Sequence, residues 1–126
     1  YQDAGVRADI KPFLEDMAQC YADADLVICR AGALTFAELA AAGVASILIP
    51  FPFAVDDHQT HNARFLSERG AAVLLPQDKL SADTLAQLMI PMSREKLSAM
   101  AQKARSVAKA GAALDVARIC TTMAEA

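Results

Sequence analysis

The chain has 126 residues, 55% of them hydrophobic, with 12 basic against 15 acidic side chains and a formal net charge of −3. That length fits one domain with a real core, and the acidic balance argues against nucleic acid as a partner. No apolar run reaches the roughly 18 residues that a membrane-spanning helix needs.

In chain order, Tyr1-Gln2-Asp3-Ala4-Gly5 is neither an initiator Met nor a signal peptide, so the expectation is a piece of a longer chain. Val6 to Ile10 alternates weakly and is expected as a short strand, which Lys11-Pro12 breaks. Phe13 and Leu14 follow in a loop, where Phe13 is either a core contact or a ligand-facing ring. Glu15 and Asp16 put negative charge in the first turn of a helix over Met17 to Ala24, which suits the helix dipole.

The most informative stretch is LVICRAGALTFAELAAAG, Leu26 to Gly43. It reads as a buried parallel strand over Leu26–Cys29, a turn at Arg30-Ala31-Gly32 and an Ala-rich helix closed by Gly43. Open α/β sheets bind ligands at the carboxyl ends of their strands, where helix N-termini attract anions. Thr35 and Glu38 have capping-box spacing. Either Thr35 caps the helix with Glu38 reaching back to it, or Glu38 faces a ligand over the helix end.

Ala45 to Ile49 is the second buried strand, and strand–helix–strand spacing makes a βαβ unit with a parallel pair. Pro50-Phe51-Pro52-Phe53 stops it as a shaped loop at the same carboxyl end. Asp56 or Asp57 is the expected N-cap of a helix to about Arg69, with His58, Gln59 and Asn62 at the rim of the crevice. His58 and His61 share that helix, but no further His or Cys completes a metal set, and no cofactor is expected. Ala71 to Leu75 is a third strand. Ser81 caps a helix to about Met89, and Ser93 caps another through about Lys109 with Leu97, Met100, Ala101 and Ala104 on one face. Ala113 to Glu125 is a terminal amphipathic packing helix with Leu114, Ala117, Cys120 and Ala124 as its stripe. Cys20, Cys29 and Cys120 read as reduced core thiols of a cytosolic protein.

The fold class is α/β, with a Rossmann-like parallel sheet of at least three strands and flanking helices. No Gly-rich phosphate turn precedes these elements in the sequence, so they are expected to be the back portion of a nucleotide-binding domain.

Several motifs together carry a resemblance: ADLVICRAGALT at Ala24–Thr35, ELAAAG at Glu38–Gly43, Pro50-Phe51, Asp56-Asp57-His58-Gln59 and Asn62-Ala63. In this order and with these gaps the sequence resembles the donor-binding half of the bacterial family 28 glycosyltransferases, over the whole chain and most strongly from Phe13 to Gly70. The resemblance implies the C-terminal half of a two-domain GT-B enzyme, residues 1–126 being part of its UDP-GlcNAc-binding domain. It implies inverting, metal-independent transfer of N-acetylglucosamine from UDP-GlcNAc to undecaprenyl-pyrophosphoryl-muramoyl-pentapeptide in peptidoglycan synthesis. The lipid-linked acceptor would be bound by an N-terminal half that this sequence lacks, together with the catalytic base. It also implies a cytoplasmic protein held peripherally at the inner face of the cell membrane.

By the same resemblance Phe13 covers the uracil and the Leu14 backbone pairs with its edge. Glu38 accepts from both ribose hydroxyls. Ala33 and Leu34 offer amides to the diphosphate or sugar, with Thr35, Phe36 and Ala37 completing the donor-binding turn. His58 and Gln59 contact the GlcNAc hydroxyls. Arg30 is either a diphosphate neighbour or the partner of a carboxylate such as Asp25. Departures from the family pattern are His58, where some members have Gln; Ala45, where a proline is expected; and a loop over Phe51–Val55 one residue longer than in some members. A UDP-GlcNAc epimerase on the same fold would need carboxylates and histidines in other motif contexts. The reading from a different class is a non-catalytic nucleotide-sugar-binding subunit of a split transferase.

Overall fold

The computed structural model describes residues 1–53 and 55–124, the side chains of Gln2 and Val55 excepted. Three strands, β1 (Leu26–Cys29), β2 (Ala45–Leu48) and β3 (Ala72–Leu74), form a parallel sheet in the order β1-β2-β3. Leu26 stands opposite Ala45 and Cys29 opposite Leu48, while Ser46 to Leu48 pair with Ala72 to Leu74. Among the described residues the chain forms six α-helices: α1 (Met17–Asp23), α2 (Ala33–Ala42), α3 (His58–Glu68), α4 (Ala82–Met89), α5 (Arg94–Ser106) and α6 (Ala112–Ala124). One-turn 3-10 helices occur at Gln2–Ala4, Val55–Asp57 and Gln77–Lys79.

The pleat sends alternate residues to two layers. On one face Val27, Cys29, Leu48 and Leu74 meet Tyr21 of α1, Leu39 of α2, Ala63 and Leu66 of α3 and Ala104 of α5. On the other, Ile47, Ile49 and Leu75 pack against Leu85 and Leu88 of α4 and Met92. β2 is the buried middle strand, whereas β1 is only partly covered, with Ile28 40% exposed.

Local chemistry explains the boundaries. Asp16 is itself the N-cap of α1, its Oδ1 accepting from the Gln19 amide at 2.9 Å, so it precedes the helix instead of lying in its first turn. Ser81 and Ser93 cap α4 and α5, accepting from Thr84 and Lys96. Gly43 closes α2 in the left-handed region at φ 68°, its amide donating to Leu39 O at 2.9 Å. Arg105 of α5 donates to Ala41 O and so caps the same helix end from outside.

Three further expectations from the sequence are corrected. Val6 to Ile10 is extended coil without a strand partner among the described residues, Val6 and Ile10 being 52% and 72% exposed. Asp57, by contrast, does take the expected N-cap position of α3, in the left-handed region and without a side-chain capping bond, and it accepts from Thr60 Oγ1 at 2.5 Å. α6 packs no stripe into the core, because none of its described residues is buried, and Glu125 lies outside the described residues. Cys120 on that helix is exposed; Cys20 and Cys29 are half-buried, and all three thiols are free. Burial pushes the Cys29 thiol above its ordinary pKa.

Candidate functional site

The carboxyl ends of β1, β2 and β3 open onto one rim, and three side chains organise it. Arg30, directly after β1, sends one guanidinium nitrogen to Ile49 O at 3.3 Å, Pro50 O at 3.4 Å and Gln77 Oε1 at 2.6 Å. It thereby joins the segments that follow all three strands, and it also lies 5.7 Å from the Phe51 ring centroid. Gln59, in the first turn of α3, accepts from the Phe51 amide at 2.9 Å. Asn62 one turn on donates to Ala31 O at 3.1 Å. The loops after β1 and β2 are thus held by side chains projecting from α3.

Asp25 is not the partner of Arg30: it pairs with Arg94 at 3.5 Å, an exposed pair of small energetic weight. Asp56 and Asp57 both have positive φ, 54° and 53°, directly before His58. Two consecutive non-glycine residues in that region carry backbone strain, of the kind that clusters at ligand-facing loops.

α2 enters the rim with its N-terminus. Gly32 is the cap, in extended geometry and without a side chain to satisfy the first turn. Its carbonyl accepts from the Phe36 amide, and the preceding amides, of Ala33, Leu34 and Thr35, have no acceptor inside the helix. Ala33 and Leu34 are exposed there, Leu34 by 80%. Phe36 turns the other way: it is partly buried against the core and meets the Phe65 ring edge-on at 5.4 Å. Ala37 is exposed.

Thr35 lies inside α2, so the capping box does not form. Glu38 Oε2 instead accepts from the Tyr21 hydroxyl of α1 at 2.9 Å. Tyr21 is buried, and the pKa of its hydroxyl is pushed up to about 12, first by burial and then by the Glu38 carboxylate. Glu38 itself is exposed, beside an apolar hollow lined by Met17, Tyr21 and Ala41.

Phe13 is 77% exposed and Leu14 40%, which removes the core-contact reading of Phe13. The two line a hollow with Lys11, Asp16 and Gln19, distinct from the one beside Glu38. His58 is exposed at the start of α3, as is His61 on its second turn. Among the described residues no group of three His, Cys, Asp or Glu side chains is placed to hold a metal ion.

Geometry therefore groups Arg30, Gln59, Asn62, the first turn of α2 and the start of α3 on one rim. The chemistry available there is hydrogen-bond donation from helix-terminal amides and a fixed guanidinium, with the exposed Glu38 carboxylate further along α2: groups suited to phosphate and sugar hydroxyls. Sequence reasoning missed Tyr21 and Gln77. A buried aromatic on a short helix carries no signal of where its hydroxyl points, and both contacts join residues far apart in the chain.

The glycosyltransferase family 28 C-terminal domain matches residues 1–119. A protein of Azoarcus sp. strain BH72, named UDP-N-acetylglucosamine--N-acetylmuramyl-(pentapeptide) pyrophosphoryl-undecaprenol N-acetylglucosamine transferase, is 60% identical over 125 residues, which are 99% of this chain and 35% of that protein. A protein of the same name from Burkholderia thailandensis is 55% identical over 130 residues, covering all of this chain and 35% of its own length. The crystal structure of Acinetobacter baumannii MurG superposes with a TM-score of 0.87 at 48% identity, over 90% of this chain and 33% of that one. The chain thus spans about a third of the length of the curated relatives it matches.

Proposed function

The chain belongs to the glycosyltransferase family 28 C-terminal domain family, and from that premise we propose that it is the donor-binding part of a UDP-GlcNAc-dependent glycosyltransferase. Residues 1–126 supply part of the C-terminal domain. The reaction is transfer of N-acetylglucosamine from UDP-GlcNAc to undecaprenyl-pyrophosphoryl-muramoyl-pentapeptide, the chemistry for which relatives up to 60% identical are named. The acceptor site and the base lie in an N-terminal half. No helix among the described residues is long and apolar enough to cross a membrane, and the undecaprenol acceptor draws the enzyme to the bilayer surface as a peripheral protein on the cytoplasmic face.

The observation that carries this reading is the exposed Glu38 carboxylate on α2, held at one oxygen and one turn from the amides of Ala33 and Leu34. A carboxylate accepts two hydroxyl donors at once, as a ribose 2′,3′-diol presents them. The first-turn amides, from Ala33 to Thr35, meet the diphosphate, with Phe36 and Ala37 completing that turn. Arg30 stands beside the phosphates while it holds the rim. Phe13 stacks on the uracil, the Leu14 backbone reads the base edge, and His58 and Gln59 meet the sugar hydroxyls. In the transfer, the acceptor hydroxyl oxygen bonds to the anomeric carbon as the bond to UDP breaks. Its proton passes to the base of the other half, and the charge that develops on UDP is met by the α2 N-terminus.

The test compares UDP with 2′,3′-dideoxy-UDP as ligands of the full-length protein. Wild type is expected to favour UDP by about ten- to a hundredfold, the worth of hydrogen bonds to a charged group. Glu38→Ala is expected to erase most of that preference. Equal discrimination in both proteins, with a lower melting temperature in the variant, would leave Glu38 a stability residue only.

A further inference from the structure

We propose that Tyr21 is a positioning residue for the donor: its buried hydroxyl fixes Glu38 Oε2, so that Oε1 is presented to the ribose. This rests on the ribose reading of Glu38 given above. The Tyr21 ring belongs to the core, packed in the cluster of Leu39, Val44 and Leu48, and only its hydroxyl reaches α2. Glu38 is exposed and, by its chain length, rich in rotamers. A surface carboxylate of that kind would have to be ordered when the ligand arrives. Anchoring one oxygen from the core orders it during folding instead, and binding no longer bears that cost.

Three further facts agree. Thr35 makes no hydrogen bond to Glu38, and among the described residues Tyr21 is the only hydrogen-bond partner of this carboxylate. An ionised carboxylate has about four acceptor positions, so one tyrosine donor leaves room for both ribose hydroxyls. The phenol also stays protonated, and so able to donate, throughout the neutral range. The opposite account makes Glu38 only the partner that a buried tyrosine needs. It predicts that loss of the hydroxyl alters stability and leaves the ligand untouched.

The experiment measures dissociation constants of UDP and 2′,3′-dideoxy-UDP on the full-length protein as wild type, Tyr21→Phe, Glu38→Ala and the double variant. Tyr21→Phe is expected to weaken UDP by about three- to tenfold, the effect of ordering one rotamer-rich side chain, and to leave dideoxy-UDP unchanged. In the Glu38→Ala background the same substitution is expected to have no further effect. Full discrimination retained by Tyr21→Phe, while Glu38→Ala loses it, overturns the positioning role alone. A wild type that does not discriminate overturns the ribose reading, and this proposal with it. Should Tyr21→Phe not fold, wild type labelled at tyrosine Cζ gives the answer. UDP is expected to shift the Tyr21 resonance and dideoxy-UDP is not, and identical responses to the two ligands would overturn the proposal.

Discussion

Tyr21 ties the chemistry of single residues to stability as well as to the rim. Its native pKa, about 12, lies above the ordinary 10.0 of tyrosine. Between those values the unfolded chain loses the phenol proton and the native chain keeps it, so the unfolded state gains and stability falls as pH rises. The contribution is whole below about pH 10 and is lost through about pH 12. Thermal melts at pH 9 and pH 11.5 are expected to show a larger loss in wild type than in Tyr21→Phe; equal losses would remove Tyr21 as the cause. At this scale the sequence was only partly legible. Glu38 stood out because a carboxylate three residues after Thr35 is a recognisable pattern. The pattern misdirected, since Gly32 took the cap and left Thr35 inside the helix. Arg30 was expected as a diphosphate neighbour or a carboxylate's partner, and the partners it takes, two carbonyls and Gln77, leave no trace in composition or spacing.

Whole elements were far easier to read. β1, β2, α4 and α5 follow from apolar runs and serine caps, and Gly43 ends α2 where the sequence places it. Gly43 is also tightly fitted: a Cβ there would lie 3.1 Å from Arg105 Cβ, in a backbone conformation that L-residues rarely adopt. Gly43→Ala is therefore expected to lower stability by about 1–2 kcal/mol in urea unfolding. Ser46, at the centre of β2, gives the opposite expectation. Its hydroxyl is fully buried and has no hydrogen-bond partner among the described residues. Leaving such a group unpaired costs about 1–3 kcal/mol, so Ser46→Ala is expected to be neutral or stabilising in the same assay. A clear loss on Ser46→Ala would mean that the hydroxyl has a partner, such as a water. The weak strand at Val6 to Ile10 failed because alternation over five residues marks a strand only where another strand can pair with it.

For the molecule as a whole, stability is unevenly spread. β2 is buried along its entire length, whereas α6 contributes no buried residue and exposes Leu114, Val116, Ile119 and Met123. Amide hydrogen exchange on the 126-residue chain is expected to be slowest at Ile47 and Leu48 and fastest in α6. Shortening the chain after Ala110 is expected to leave the unfolding midpoint nearly unchanged, and a loss of several degrees would show that α6 docks on the core. The layered α/β plan was legible because strands and helices alternate with turn residues between them. The idleness of α6 was not, since its apolar stripe reads the same whether or not a surface meets it.

The Arg30 clamp bears on which substitutions this rim tolerates. Its grip on Ile49 and Pro50 is through carbonyl oxygens, which every amino acid carries. Side chains at these two positions can therefore drift while the loop keeps its path, provided the backbone shape and the packing of Ile49 survive. Only Arg30 and Gln77 must keep their identity for the clamp to hold all three strand ends. The rim can thus change the groups it shows to a ligand without being rebuilt.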